Sequence, residues 1–161
     1  MKFSVGASER MRLDADGLSF NGDTAAANSL DDYEEGTHTL VANSNISLNA
    51  SYNVAEYTKV GNVVTMTFLF FISSVSGSNQ VTCTLPFQNR SGSGSSRCDA
   101  IGSVMHNGVN TGNAGLVSYI GQGSSTVSFY KMVDNGTWSA LANTDLNAND
   151  EMYVTVVYRT A

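Results

Sequence analysis

The side chains that most often catalyse reactions or bind metals are few in this chain and far apart in sequence. The two histidines, His38 and His106, have no second histidine or cysteine at the spacing of a zinc motif, so zinc binding is not expected. Asp14 and Asp16 precede Gly17 as at the start of a calcium loop, but the glutamate that would close such a loop is missing. A plain Asp-Gly turn fits these residues better.

Neighbouring carboxylates are the other candidates for chemistry. Asp31 and Asp32 form one pair, and Glu34 and Glu35 form another on the same short segment. Adjacent side chains on a helix diverge, whereas glycoside hydrolysis needs two carboxylates that face each other across a cleft. No nucleophile–histidine motif and no phosphate loop occurs in the sequence. We therefore predict a protein that is not an enzyme, with no catalytic residues, no metal and no cofactor.

Three polar loops contain residue types suited to recognition instead. They cover residues 88–97, 107–115 and 134–138 and are rich in Asn, Ser and Gly. Amide groups can hydrogen-bond to sugar hydroxyls, and an aromatic ring can stack on the apolar face of a sugar. The alternative is that Trp138 is a core residue at a strand start and that the loops are merely compatible with solvent. The candidate receptor-binding residues are Arg97, Asn107, Asn110, Asn113, Asn135 and Trp138.

Composition argues against two classes of partner. The 161 residues carry a net charge of −6 and a pI near 4.6, whereas nucleic-acid affinity depends on clustered lysine and arginine, so no nucleic acid is expected. No apolar run reaches the roughly 18 residues of a membrane span, and the first residues lack the apolar segment of a signal peptide. No membrane insertion is expected. Cys83 and Cys98 could pair across a loop or could be two reduced core thiols.

Residues 37–161 have the period-2 alternation of an all-β domain. In residues 63–72 and 152–158, every second residue is apolar, so one face of each strand is predicted to be buried. Strands that recur about every ten residues, separated by Gly, Asn and Ser, predict an antiparallel β-sandwich of jelly-roll-like order. The other predicted strands cover residues 46–50, 80–85, 100–106, 116–120, 126–132 and 137–141.

Residues 1–36 are predicted to form a separate leader that cannot make a compact core. Residues 9–13 and 18–20 form a hairpin, and a short helix runs from residues 23–24 to Glu35, where Gly36 ends it. A helix of this length is marginal on its own and must pack on the β-domain or on its own copies around a symmetry axis. The apolar stripe predicted to mediate trimerisation consists of Ala26, Leu30 and Tyr33.

Several segments resemble the C-terminal part of bacteriophage tail fibres, in the same order along almost the whole chain. These segments are residues 9–14, 30–37, 57–64, 85–87 and 150–159. The resemblance implies a homotrimer with a thin intertwined shaft ahead of a β-sandwich tip. It also implies a location on the virion, exposed to the extracellular medium, where the tip binds a glycan or protein of the host cell surface.

Two other classes of protein fit the same residues. A carbohydrate-binding module of a secreted enzyme would be a stable monomer with an aromatic-lined groove. A structural protein of the virion, such as a capsid decoration or a fibre spacer, would bind neither glycans nor cells. The mass in solution separates the module from the tail-fibre tip, and binding to cells separates the structural protein from both.

Overall fold

A computed structural model describes residues 1–25, 29–30, 32–92 and 98–160. The described residues form two antiparallel sheets, one of three strands and one of ten. The first, called the N-terminal sheet, has the order β1-β2-β3, and its strands are β1 (Lys2–Val5), β2 (Ser8–Asp14) and β3 (Gly17–Phe20). The predicted hairpin is confirmed: Asp14 pairs with Gly17, and the Asp14 carboxylate accepts a hydrogen bond of 3.1 Å from the backbone N–H of Asp16.

The second sheet, called the large sheet, confirms the all-β class. Its order is β12-β11-β10-β9-β13-β7-β6-β4, with β5 paired to β7 and β8 paired to β11. Its strands are β4 (Tyr33–Thr39), β5 (Ile46–Leu48), β6 (Val54–Val60), β7 (Val63–Val75), β8 (Thr82–Thr84), β9 (Ala100–Asn107), β10 (Gly115–Ile120), β11 (Thr126–Met132), β12 (Ser139–Ala140) and β13 (Glu151–Arg159). A short 3-10 helix, Asn143–Asp145, precedes β13.

The large sheet encloses a core in the way expected of an antiparallel β-sandwich. Phe70 on β7 lies 5.7 Å from Phe129 on β11, centroid to centroid, although these strands are far apart in the order of the sheet. The sheet therefore folds over and packs its inner face against itself. The apolar faces predicted for β7 and β13 are confirmed as buried: Val64, Met66, Phe68, Phe70, Ile72, Met152, Val154, Val156 and Tyr158.

The predicted helix through Glu35 is wrong, because β4 occupies its last residues. β4 pairs with β6 along its whole length, and the Asp32 carboxylate forms an ion pair with Lys59. Gly36 does not end a helix; it lies in β4 under the ring of Tyr57, which would have to move to admit a Cβ atom. The predicted boundary between residues 36 and 37 lies within β4, and Ala26 and Asp31 lie outside the described residues.

The N-terminal sheet has one charged face and one apolar face. On the charged face, the Glu9 carboxylate pairs with Lys2 at 3.0 Å and with Arg12 at 2.9 Å. Strand register places the other side chains together on the opposite face, where Leu30 joins by pairing with Leu18. This apolar face consists of Met1, Phe3, Val5, Met11, Leu13, Leu18, Phe20 and Leu30.

The two cysteines do not form a disulfide bond, although both belong to the described part of the chain. Cys83 is completely buried on β8, and this burial raises the pKa of its thiol well above the ordinary range. Cys98 is half-buried just before β9. The interpretation of two core thiols therefore holds for Cys83 but not for Cys98.

Candidate functional site

The large sheet has two ends, and the three predicted recognition loops are divided between them. The N-terminal end is where β4 begins and where the chain arrives from the N-terminal sheet. Of the first loop, residues 88–92 are described and lie at this end, as shown by the bond of 2.7 Å from the Arg90 N–H to the carbonyl of Arg159 at the end of β13. Residues 107–115 and 134–138 lie at the opposite end, called the far end, because β9 and β11 finish there. The sequence did not reveal this division.

The hairpin between β11 and β12 presents the tryptophan at the far end. Lys131 pairs with Ser139, so residues 132–138 form the tip of this hairpin. Trp138 is 65% exposed, which excludes the alternative that it is a core residue, and Met132 and Val133 are also exposed. An exposed aromatic ring beside other apolar side chains is a surface on which a sugar or a protein side chain can stack. Asn135 lies at the turn of this tip with a φ of 53°.

The neighbouring far-end loop, residues 107–115, is held in place by Asp145. The N–H of Asn110 donates to the carbonyl of Asp145 at 2.9 Å. The Asp145 carboxylate accepts a bond of 2.8 Å from the N–H of Ala142 and pairs at 2.8 Å with Lys131 on β11. One aspartate thus connects the loop, the 3-10 helix and the hairpin that carries the tryptophan. Sequence reasoning missed this residue because its partners are distant along the chain.

The far-end asparagines are exposed, but the backbone conformation of their turns partly explains why asparagine occurs at these positions. Asn113 and Asn135 have φ values of 68° and 53°, a conformation that asparagine tolerates better than other residues except glycine. The Asn110 side chain accepts a bond of 3.3 Å from the N–H of Gly112 and so stabilises its own loop. Asn107, at the end of β9, is exposed.

At the N-terminal end, residues 88–92 are organised around a buried amide. Asn89 is 1% exposed, and its amide donates to the carbonyls of Cys98 and Gly121 at 2.7 and 2.9 Å. This residue joins the loop before β9 to the loop after β10, which is a structural role that the polar sequence did not indicate. Arg97, a predicted binding residue, lies outside the described residues.

The outer face of the large sheet contains two shallow grooves. This face is the side of β6, β7, β9 and β13 that points away from the core. One groove, of about 550 Å³, is lined by hydroxyls and carboxylates, including Thr65, Thr67 and Glu56. The second, of about 540 Å³, shares Thr67 and Glu56 and adds the more apolar side chains of Met105 and Tyr153. Sequence reasoning placed no candidate here, because the residues come from separate strands.

The acidic residues near β4 are engaged by tyrosines rather than by each other. Glu34 accepts a hydrogen bond from the Tyr57 hydroxyl, and Glu35 accepts one from the Tyr33 hydroxyl. Each carboxylate raises the pKa of its tyrosine, chiefly because the hydrogen bond it accepts stabilises the protonated phenol. The two glutamates are adjacent in a strand and point to opposite faces, so they do not form a catalytic pair.

The two histidines lie on separate strands and have different neighbours. His38, on β4, has its Nε2 atom 2.9 Å from the Thr84 hydroxyl, and burial lowers the pKa of its imidazole. His106, on β9, pairs with Met152 of β13. Among the described residues, no cluster of three or more histidine, cysteine, aspartate or glutamate side chains is arranged to hold a metal ion.

The residues predicted to mediate trimerisation do not share a helix. Leu30 is 41% exposed beside the N-terminal sheet, whereas Tyr33 is 63% exposed at the start of β4. These positions belong to different sheets, so the stripe proposed from the i, i+4, i+7 spacing is not formed by the described members.

Comparison with known proteins gives no match: no family model, no curated protein and no solved structure matches the chain. The described residues include no helix with the length and hydropathy needed to cross a membrane.

Proposed function

We propose that the chain is the host-recognition tip of a bacteriophage tail fibre. In this proposal it is a non-enzymatic homotrimer, exposed on the virion, and its head is a jelly-roll-like sandwich. The tip binds a glycan or protein of the host cell surface. The resemblance of the sequence to tail-fibre C-terminal regions supports the class of protein. The difference between the two ends of the large sheet supports attachment at one end and recognition at the other.

One observation carries this proposal: the exposed ring of Trp138 lies at the end of the large sheet opposite the N-terminal sheet. A fibre tip needs its attachment segment at one end and its recognition surface at the other. The far end meets the second need with an exposed tryptophan, and the Asn110 loop is tied to the same Asp145 that pairs with β11. Loops between strands can vary without disturbing the core, which suits a surface that must match a receptor.

Binding at each far end is expected to be weak, because the surface is open and small. A single site of this kind binds at roughly millimolar strength, and three linked copies gain strength through avidity. The natural readout is therefore adsorption of the assembled protein to cells rather than the affinity of one isolated site.

The test is adsorption of the purified protein to bacterial cells of a strain that the unmodified protein binds. Trp138→Ala should reduce adsorption about tenfold or more, since loss of a central aromatic contact costs upward of about 2 kcal/mol per site. Asn110→Ala, at the same end, should reduce it by a smaller factor. Tyr33→Ala is the matched control, because it removes an aromatic ring of similar exposure, 63%, at the N-terminal end.

All variants are first compared with the parent by native mass and melting temperature. If Trp138→Ala and Asn110→Ala adsorb like the parent, the far end is not the receptor site. If Tyr33→Ala alone abolishes adsorption while the mass is unchanged, the site lies at the N-terminal end.

A carbohydrate-binding module is the second candidate, and the grooves on the outer face favour it. Tyr153 is 43% exposed beside a groove that contains hydroxyl groups suited to sugar binding. This candidate predicts a monomer whose glycan binding is lost with Tyr153→Ala and kept with Trp138→Ala. The tail-fibre proposal predicts the reverse pair of results on the same glycan array.

A further inference from the structure

We infer that the apolar face of the N-terminal sheet is the surface through which copies of this chain associate. The inference rests on the homotrimer in the proposed function and assigns its contact surface. Two rows of cross-strand neighbours build this face. Phe3, Met11 and Phe20 form one row, and Leu13 and Leu18 lie in the next. Leu30 and Met1 extend the second row at its two ends: Leu30 pairs with Leu18, and Met1 and Leu13 exchange backbone hydrogen bonds of 2.6 and 2.9 Å.

Six side chains of this face are exposed in the single chain. The exposed fractions are 75% for Met1, 43% for Phe3, 70% for Val5, 52% for Leu13, 50% for Phe20 and 41% for Leu30. Aromatic side chains bury roughly 150–250 Å² each; with that as the upper limit for all six and about half of each exposed, the six present up to about 600 Å². That area lies at the top of the range for a patch on a monomer and approaches the ~800 Å² that one partner contributes to a stable interface.

The isolated sheet cannot be stable with this face in water. Among residues 1–25, all of them described, Ser19 is the one buried residue. A small sheet needs a covered apolar face to fold, because backbone hydrogen bonds alone do not offset the loss of chain entropy. Covering the face is therefore a condition for the fold of this segment and not an optional contact.

The charges of the opposite face are satisfied within the chain. Glu9 there is paired with Lys2 and Arg12 within the same chain, so these charges need no outside partner. The pairing with Arg12 lowers the pKa of the Glu9 carboxyl, as expected of a charge that is stabilised in place. The charged face thus needs no outside partner, whereas the apolar face is left uncovered by the described residues.

A further copy of the chain is the occupant that this surface fits. None of the eight residues that define this face is charged, and every copy brings an equal apolar area. Interfaces between identical subunits that fold together are apolar in this way and resemble a domain core divided between chains. Cyclic association of such faces closes the assembly and leaves none of them exposed.

The test compares two neighbouring residues of β1 that point to opposite faces. Phe3→Lys places a charge in the apolar face, whereas Ser4→Lys places the same charge on the charged face, opposite Glu9. Sedimentation equilibrium of the full-length chain over a range of micromolar concentrations measures association. Phe3→Lys should weaken association about tenfold or more, and Ser4→Lys should leave it within about twofold of the parent. Equal effects of the two lysines would overturn the inference.

A second measurement uses the unmodified chain and so does not depend on a variant folding. The rate of methionine oxidation by peroxide is measured for Met1 in the assembled protein and in the protein unfolded by urea. Because Met1 is 75% exposed in the single chain, oxidation at the unfolded rate in the assembled protein would show that the face is open and would overturn the inference. Slower oxidation that is restored by dilution to monomer supports it.

The outcomes separate this inference from the proposed function. A parent protein that stays at 17.1 kDa at micromolar concentration overturns the self-association surface and the homotrimer together, but leaves far-end adsorption to be decided by Trp138→Ala. A dimer that Phe3→Lys dissociates supports the surface and contradicts the trimer. The third outcome is a parent trimer that Phe3→Lys dissociates, while Trp138→Ala adsorbs like the parent. That result supports the association through the N-terminal sheet and contradicts the receptor site at the far end.

Discussion

The two sheets use the same alternation of residues but differ in what covers their apolar faces. In the large sheet, Phe70 of β7 is completely buried because β11 of the same chain packs over it. In the N-terminal sheet, Leu13 of β2 alternates with charged neighbours in the same manner and remains 52% exposed. The pattern of a strand therefore indicates which face will be buried, while the origin of the covering surface depends on the rest of the assembly.

This difference predicts that the two regions respond to mutation in different ways. A core change in the large sheet should lower the stability of a single chain at any concentration. A change in the apolar face of the N-terminal sheet should alter the mass of the assembly and its concentration dependence, and it should leave the melting of the large sheet nearly unchanged.

The largest expected effect is that of Phe70→Ala in the large sheet. Removing a fully buried aromatic ring that contacts Phe129 should cost about 3–5 kcal/mol of the free energy of unfolding. Phe68→Ala, at 7% exposure on the same face of β7, should fall in the same range of about 3–5 kcal/mol. Urea denaturation followed by circular dichroism, at one fixed chain concentration, measures both.

The matched control for this prediction is Phe3→Ala in the N-terminal sheet. Its effect on the main unfolding transition should stay within about 0.5 kcal/mol, because its ring is not part of the core of the large sheet. If Phe3→Ala lowers that transition as much as Phe70→Ala does, the two sheets form one cooperative unit and the distinction between them fails.

A smaller loss of stability is expected from Asn89→Ala at the N-terminal end. The substitution removes the amide that donates to the carbonyls of Cys98 and Gly121, and it leaves these acceptors without that donor. A buried hydrogen-bonding group of this kind is worth about 1–3 kcal/mol. Gln88→Ala is the control: its amide also donates to a carbonyl, that of Gly123 at 2.7 Å, but in an exposed position.

The control substitution Gln88→Ala should change the free energy of unfolding by no more than about 0.5 kcal/mol, because water can replace the exposed hydrogen bond of this side chain at little cost. Equal losses in the two variants would show that burial of Asn89 does not stabilise this end. A loss in Asn89→Ala larger than that of Phe70→Ala would reverse the order of importance that we assign to the loop and the core.

Part of this architecture could be predicted from the sequence because it depends on local alternation. β7, β11 and β13 were predicted nearly to their observed ends. In β7 and β13, apolar residues recur at every second position over seven or more residues, whereas β11 has only the short alternation of Val127 and Phe129 together with β-branched and aromatic residues. β4 could not be predicted, because Tyr33 and the two glutamates after it have few apolar neighbours, and the strand forms by pairing with distant β6. The types of the far-end loop residues could be recognised, whereas their grouping at one end depends on strand order.

The candidate site shows the same limit for single residues. Trp138 could be proposed from its residue type and the turn beside it, and its exposure excludes the alternative that it is a core residue. Asp145 and Asn89 could not be proposed, because an isolated aspartate or asparagine in a polar loop carries no sign of its distant partners. The apolar face of the N-terminal sheet was missed because residues 1–5 were not predicted to be a strand, which left the sheet without β1.

The smallest expected effect is a dependence of stability on pH that is confined to the large sheet. His38 is half-buried on β4, and desolvation lowers the pKa of its imidazole below the ordinary 6.5. The folded protein therefore binds a proton here less readily than the unfolded chain. The stabilising contribution of neutral His38 is complete above pH 6.5 and is lost as the pH falls through that value toward the lowered pKa. The parent should lose more unfolding free energy between about pH 7 and pH 5 than His38→Gln does.

The association through the N-terminal sheet should be constant over the same interval, because residues 1–25 contain no histidine. The lowered pKa of Glu9 means that its ion pairs weaken only below the ordinary value of 4.5. If the parent and His38→Gln lose stability in parallel, the imidazole is not the group responsible. If the association weakens in this interval while the large sheet does not, the pH response belongs to the other region of the molecule.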